Sequence, residues 1–460
     1  MTARLVTLLI MMVWAIFPAT AAALTLSELI GDIRENHPRY LAASAKTDGV
    51  FASIEEASAL FDPTISQNAF ARSEGYYDGR FIEQRLSQPL RALNADMYGS
   101  YRLSAGQFPI YERQYQTLSS GEISFGFNFS LLKNRDIDAR RMASKSAVWR
   151  HAETQAQEKL VLNALLYAGI DTYLLWLQDN EKLRIAKDLL FLSETRALGL
   201  AKRINDGDLA DIALVELEAT ILRRKAMVSE IKQSIVNHAE KLRFFLSDDV
   251  FFEPINSTFM DVSATWAYSS KKPEYTNLNL AVKRHPLIQS LQGQRERSQI
   301  EKRLAANETL PTLDLDIKYV KDLGGDDGLL SGDETIVALN FELPIGQRAA
   351  SARLKAATNK LTEIDYELRA KEQELVSKAR SSLSALDYAE QIVSTRKKAE
   401  IVARDLLKKE NLRFDEGTSD QFLLISREKQ SLDARMAVVQ AEYALLRGEL
   451  ALAATLALLE

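Results

Sequence analysis

Hydrophobic positions along this chain fall on two long seams of alternating three- and four-residue steps. In the second seam, Phe422, Ile425, Leu432, Met436, Val439, Tyr443, Leu446 and Leu450 keep that spacing, and only Lys429 breaks it. Such a stripe predicts a helix that packs along its whole length against a neighbour. The partner run is residues 347–416, which are 70 residues without Gly or Pro. At about 1.5 Å per residue this run makes about 105 Å of helix. Gly417-Thr418-Ser419 separates the two runs, so the pair reads as a long helical hairpin with its tip at Gly417. The first seam is Leu214, Leu217, Ile221, Val228, Ile231, Ile235 and Leu242, with Arg224 and His238 as its exceptions. It follows a helical run over 135–205 and a break at Gly207.

Period-two alternation marks the strands. Ile123, Phe125, Phe127, Phe129 and Leu131 share one face, opposite Ser124, Gly126, Asn128 and Ser130. Leu313, Leu315, Ile317 and Tyr319 alternate with Asp314, Asp316 and Lys318, and Val337, Leu339, Phe341 and Leu343 form a third face of this kind. Residues 64–72 carry a weaker alternation, and Met97, Gly99, Tyr101 and Leu103 suggest a further strand inside the Gly- and Tyr-containing segment 74–121. Residues 24–60 and 278–305 read as helices containing His37-Pro38 and His285-Pro286.

These landmarks repeat. His37-Pro38 and His285-Pro286 are 248 residues apart, as are Pro63 and Pro311. Asn128-Phe129 and Asn340-Phe341 are 212 apart, and Gly207 and Gly417 are 210 apart. The chain is therefore expected to hold two copies of one plan: helix, two strands, long helical hairpin. The first copy, 24–250, carries about 36 extra residues between its strands; the second is 276–460, and 251–275 reads as a linker. The predicted fold class is α+β, with about four strands per chain continued by a long coiled-coil assembly.

Strands of about ten residues with one apolar face suit a transmembrane barrel. A soluble antiparallel sheet with one wet face has the same pattern. Four strands cannot close a barrel, and an open sheet in lipid leaves unpaired backbone groups. Identical copies are expected to complete the wall, three of them giving about 12 strands. Asn128, Asp314, Asp316 and Lys318 would then face a wet lumen. The alternative reading is a secreted soluble coiled-coil scaffold without channel activity.

Composition narrows the choice. The chain has 460 residues, 46% hydrophobic and 26% charged, so a folded protein of more than one domain is expected. A net charge of -5 and the lack of a basic patch argue against nucleic-acid binding. With no cysteine there are no disulfides, no thiolate metal sites and no acylated mature N-terminus. Residues 1–23 read as a cleaved signal peptide: Arg4, an apolar run over 5–17, then Ala21-Ala22-Ala23. No later stretch reads as an 18-residue apolar membrane helix, so entry into a membrane is expected through strands. No catalytic constellation, metal cluster or nucleotide loop stands out, so neither an enzyme nor a cofactor is expected, and energy for transport must come from elsewhere.

The passage Asn340-Phe341-Glu342-Leu343-Pro344-Ile345-Gly346-Gln347-Arg348 resembles the strand-to-helix junction of the TolC-like outer-membrane efflux protein family. Phe414-Asp415-Glu416-Gly417-Thr418-Ser419 resembles its helix-tip motif, with Ile204-Asn205-Asp206-Gly207-Asp208-Leu209 as the counterpart in the first copy. The resemblance implies a homotrimeric channel-tunnel in the outer membrane of a Gram-negative bacterium, reaching into the periplasm. It implies that Gly207, Asp208, Leu209, Gly417, Thr418 and Ser419 dock a periplasmic adaptor linked to an inner-membrane transporter. It also implies an acidic constriction near the tips. The acids in reach are Asp208, Asp211, Glu216 and Asp420, while Leu423-Leu424-Ile425 departs from the family's acid-containing pattern. A carboxylate at these places also suits a helix N-terminus.

Overall fold

The computed structural model describes residues 24–72, 74–205, 210–247, 278–325 and 332–459. The expected signal peptide, the linker, the tip residues Gly207, Asp208 and Leu209, and most of the turn at 324–328 lie outside them.

Helix α1 (Leu26–Glu35) starts at a capping box in which the Thr25 hydroxyl accepts from Glu28 N–H while the Glu28 carboxylate accepts from Thr25 N–H. Pro38 then starts α2 (Pro38–Ala59), so the first expected helix is two helices. The chain continues through β1 (Thr64–Ala71), β2 (Arg80–Leu90), β3 (Ala95–Ala105) and β4 (Glu122–Ser130). The long hairpin of the first copy is α3 (Ala139–Asn205) and α4 (Ile212–Arg243). The second copy is α5 (Leu278–Lys283), α6 (Pro286–Asn307), β5 (Thr312–Asp322), β6 (Asp333–Glu342), α7 (Arg348–Asp415) and α8 (Gln421–Thr455).

The paired histidines have a shared local task. His285 is the N-cap of α6: its ring nitrogen Nδ1 accepts from Leu287 N–H at 3.1 Å, with Pro286 in the first turn. His37 Nδ1 accepts from Arg39 N–H at 3.2 Å in the same way. Both rings are buried. A neutral imidazole replaces the usual hydroxyl or carboxylate in satisfying a first-turn donor.

The chain divides into two compact units. Among the described residues, one comprises 24–41, 161–205, 210–247, 278–279 and 375–459, and its core is helical. Leu29, Ile33, Leu166, Ile170, Leu174, Trp176, Leu242, Tyr443 and Leu450 are among its most deeply buried side chains. Within Ala139–Lys202 one stretch is apolar and long enough to cross a membrane by length and composition, contrary to expectation. The reason is that its residues supply this core. Asp171 in it pairs with Arg447 at 2.6 Å, and Asn163 donates to the Ala454 carbonyl at 2.9 Å.

The seam of α8 is buried from Leu432 through Val439, Tyr443 and Leu446 to Leu450. Nearer the tip it slips by about one residue. Phe422 is 72% exposed, whereas Leu424 is 1% and Glu428 is 0% exposed. Two arginines draw Glu428 inward: Arg224 Nη2 lies 2.8 Å and Arg196 Nη1 2.5 Å from its carboxylate. Thus Arg224, an exception in the first seam, is neutralised by an acid next to the exception in the second. His238 is likewise met by Asp179, 3.0 Å away, which also accepts from Ser234.

The other unit, residues 42–160 and 280–374, contains the sheet. All six strands lie in one antiparallel sheet, in chain order β1-β2-β3-β4-β5-β6. Four were expected. The two additional ones, β2 and β3, fill the insert between β1 and β4, where the broken alternation and the Gln and Arg residues of 80–90 had hidden one of them. The repeat is otherwise as expected, with β4 and β5 joining the two copies.

Candidate functional site: a two-faced sheet and a helix tip

Residues directly opposite one another in an antiparallel pair point to the same side of the sheet, so the register assigns every strand residue to a face. Asn128 stands opposite Asp316, Gly126 opposite Lys318 and Ser130 opposite Asp314. Asp314 stands opposite Asn340 and Thr312 opposite Glu342. The residues expected to share a wet face, Asn128, Asp314, Asp316 and Lys318, do share one side. The same side carries Ser66, Asn68, Glu83, Arg85, Tyr98, Ser100, Arg102, Glu122 and Ser124.

This polar face is internally bonded. Arg102 lies 3.0 Å from Glu83 and 3.7 Å from Glu122, and Lys318 lies 3.9 Å from Glu122. The Ser100 and Ser124 hydroxyls are 2.7 Å apart. Tyr98 donates to both Asp316 oxygens, at 2.9 and 3.1 Å, and the Arg85 guanidinium sits 3.8 Å above its ring. That phenol reaches Asp316 by lying across Gly126. A Cβ at Gly126 would meet Tyr98 Cζ and Oη at 2.6 Å, so only glycine leaves the path open. Sequence reading placed Gly126 on the polar face but missed Arg85 and Arg102, which act through strands of the insert whose pairing the alternation did not reveal, and Tyr98, whose partner Asp316 lies far off in sequence.

The opposite face is apolar and open. Ile65, Ile82, Leu86, Tyr101, Leu103, Ile123, Phe125, Ile317, Tyr319, Val337, Leu339 and Phe341 are all exposed there. A soluble protein seldom leaves so continuous an apolar surface. The edge strands are open too: every residue of β1 and all but one of β6 are exposed.

At the tip, α7 ends in a Schellman turn. Thr418 N–H donates to the Arg413 carbonyl at 2.8 Å and Gly417 N–H to the Phe414 carbonyl at 3.1 Å. Gly417 has φ +74, the left-handed conformation that glycine adopts without cost, and no atom crowds it. Ser419 donates to Glu410. Asp420 is the N-cap of α8 and accepts from Leu423 N–H at 2.7 Å. Asp211 occupies the N-cap position of α4 without a side-chain cap bond, and Glu216 is exposed on that helix. The structure thus gives Asp420 the capping role of a helix-start carboxylate; Asp208 lies outside the described residues.

Residues 277–458 match the family model described as outer membrane efflux protein. The fold is similar to CusC, at 13% identity and a TM-score of 0.67, over 95% of this chain and 92% of that one. It is similar to VceC of Vibrio cholerae, at 15% identity and a TM-score of 0.64, over 94% and 96% of the two chains. It is similar also to the MtrE outer membrane channel of Neisseria gonorrhoeae in its open state, at 15% identity and a TM-score of 0.63, over 94% and 88%. No curated protein sequence matches the chain.

Proposed function

We propose that this chain, whose residues 277–458 belong to the outer membrane efflux protein family and whose fold is that of TolC-like outer-membrane channels, is the subunit of a homotrimeric passive exit duct. The two-faced sheet carries this reading. Lipid suits its exposed apolar side, water suits its charged side, and neither suits its two bare edges. An unpaired backbone group in hydrocarbon costs several kcal/mol. Pairing β6 of one copy with β1 of the next removes both edges. The pairing is antiparallel, because six alternating strands leave β1 and β6 running in opposite directions.

In this reading the polar face lines the lumen. The turn at Gly417, Thr418 and Ser419 docks a periplasmic adaptor that couples the duct to an inner-membrane transporter, together with the counterpart at 207–209. Exposed Asp211 and Glu216 are the acids placed to form threefold rings favouring cations at that mouth. The duct performs no chemistry; the transporter supplies the energy.

Reconstitution of the detergent-purified protein into a planar bilayer tests this. Discrete single-channel currents and a trimer mass in detergent are expected. A protein that is monomeric and soluble in plain buffer and carries no current is a scaffold instead.

A further inference from the structure

Residues 72–121 have no counterpart in the second copy, where the loop between β5 and β6 is short. They hold the β2–β3 hairpin and a loop over 106–121. From them we infer that the insert is part of the pore itself: β2 and β3 are wall strands, and the 106–121 loop narrows the pore's mouth. This inference rests on the channel reading above.

Three observations place the hairpin in the wall. First, β2 and β3 lie inside the sheet, between β1 and β4, and are fully paired on both sides over most of their length. Second, they keep the two-faced pattern of their neighbours. Ile82, Leu86, Met97, Tyr101 and Leu103 are on the apolar side, with Glu83, Arg85, Tyr98, Ser100 and Arg102 on the polar side. Gln84, the polar interruption at mid-strand on the apolar side, donates to Gln67 opposite at 3.2 Å. Third, the turn between β2 and β3 is clamped at the helix end of the sheet. Arg140 pairs with Asp96 at 2.8 Å, and Gln88 donates to the Phe61 carbonyl at 2.7 Å. A hairpin hanging outside the wall would need none of these features. Three six-stranded sheets make an eighteen-stranded ring in place of the expected 12. Rings of about 16–18 strands enclose an open aqueous channel unless something fills it.

The loop supplies a filling. It turns back over the polar side, at the sheet end away from the helices. Tyr115 stacks on Phe81 with centroids 4.9 Å apart, and Phe81 is an apolar residue on the polar face, next to Phe70. Arg102 donates to the Gln114 carbonyl at 2.9 Å. Ser104 and Thr117 exchange hydrogen bonds, and Glu112 accepts from Tyr77 and faces Arg72 at 3.6 Å. Phe81 thus breaks the polar row because a loop covers it. Arg113 and Gln114 remain exposed on the covering segment, available to passing solute.

The absence of native cysteine makes a test direct. In one variant Arg113→Cys is treated with a charged methanethiosulfonate during single-channel recording. In a second, Leu86→Cys carries a nitroxide in lipid vesicles. Current through the first is expected to fall on modification, because a bulky charged group then stands in the conducting path, and the second label is expected to be reached by oxygen and shielded from a water-soluble nickel chelate. Unchanged current in the first variant, or a water-exposed label in the second, overturns the inference. A wild-type protein that carries no current instead overturns the channel reading beneath it, so the two failures are distinct.

Discussion

At the scale of single residues, a buried histidine is held by the helix start it caps. Burial holds the His285 imidazole below its ordinary pKa, and its Nδ1 must stay unprotonated to accept from Leu287 N–H. A histidine whose folded pKa is lowered costs stability as pH falls through the unfolded value of about 6.5, and costs nothing well above it. Thermal midpoints should therefore drop between pH 7 and pH 5. His285→Asn, which caps without titrating, should flatten that limb; an equally steep loss in the variant would show that another group controls it. Gly126 makes a second case. Gly126→Ala should displace Tyr98 from Asp316 and perturb the wall, seen as a shorter trimer lifetime in detergent on heating.

At the scale of elements, the helical hairpins pair along seams whose exceptions in the first copy, Arg224 and His238, are each met by an acid. Glu428→Leu leaves Arg196 and Arg224 buried without their acid and should cost about 3–5 kcal/mol by denaturant titration of the helical signal. Replacing all three ionic groups by apolar ones should recover most of that, since a buried triad gains little over good packing. A small loss from Glu428→Leu alone would mean that water reaches the arginines. The heptad rule found both seams, but it marked Phe422 as buried and overlooked Glu428. Ion pairing outweighs periodicity there, and a pattern read along one helix cannot register charges on two others. The tip gives a further prediction. Gly417→Val forces a branched side chain into positive φ at a cost of about 1–3 kcal/mol, and should impair export while the trimer survives on native gels; normal export would separate the turn from adaptor docking.

For the whole molecule, the channel reading stands on closure of the sheet between copies. Within one chain β1 and β6 stand five strand spacings apart, about 24 Å at about 4.8 Å each, too far for any disulfide. A cysteine at Ser66 combined with a cysteine scan over 334–340 should therefore give crosslinks only between copies, read as a covalent trimer on denaturing gels. Crosslinks at no scanned position would deny the β1–β6 seam.

The sequence by itself determined the duplicated plan, the long helices, the tip glycine and the faces of β4, β5 and β6. Each of these is written in local periodicity or in spacing between repeats, which a linear reading can measure. Tertiary structure alone decided that the insert joins the sheet, that Tyr98 crosses Gly126 to Asp316, and that Glu428 sits between Arg196 and Arg224. Those contacts join residues distant in sequence, and their stability comes from desolvated charge and cross-strand register, neither of which leaves a period along the chain.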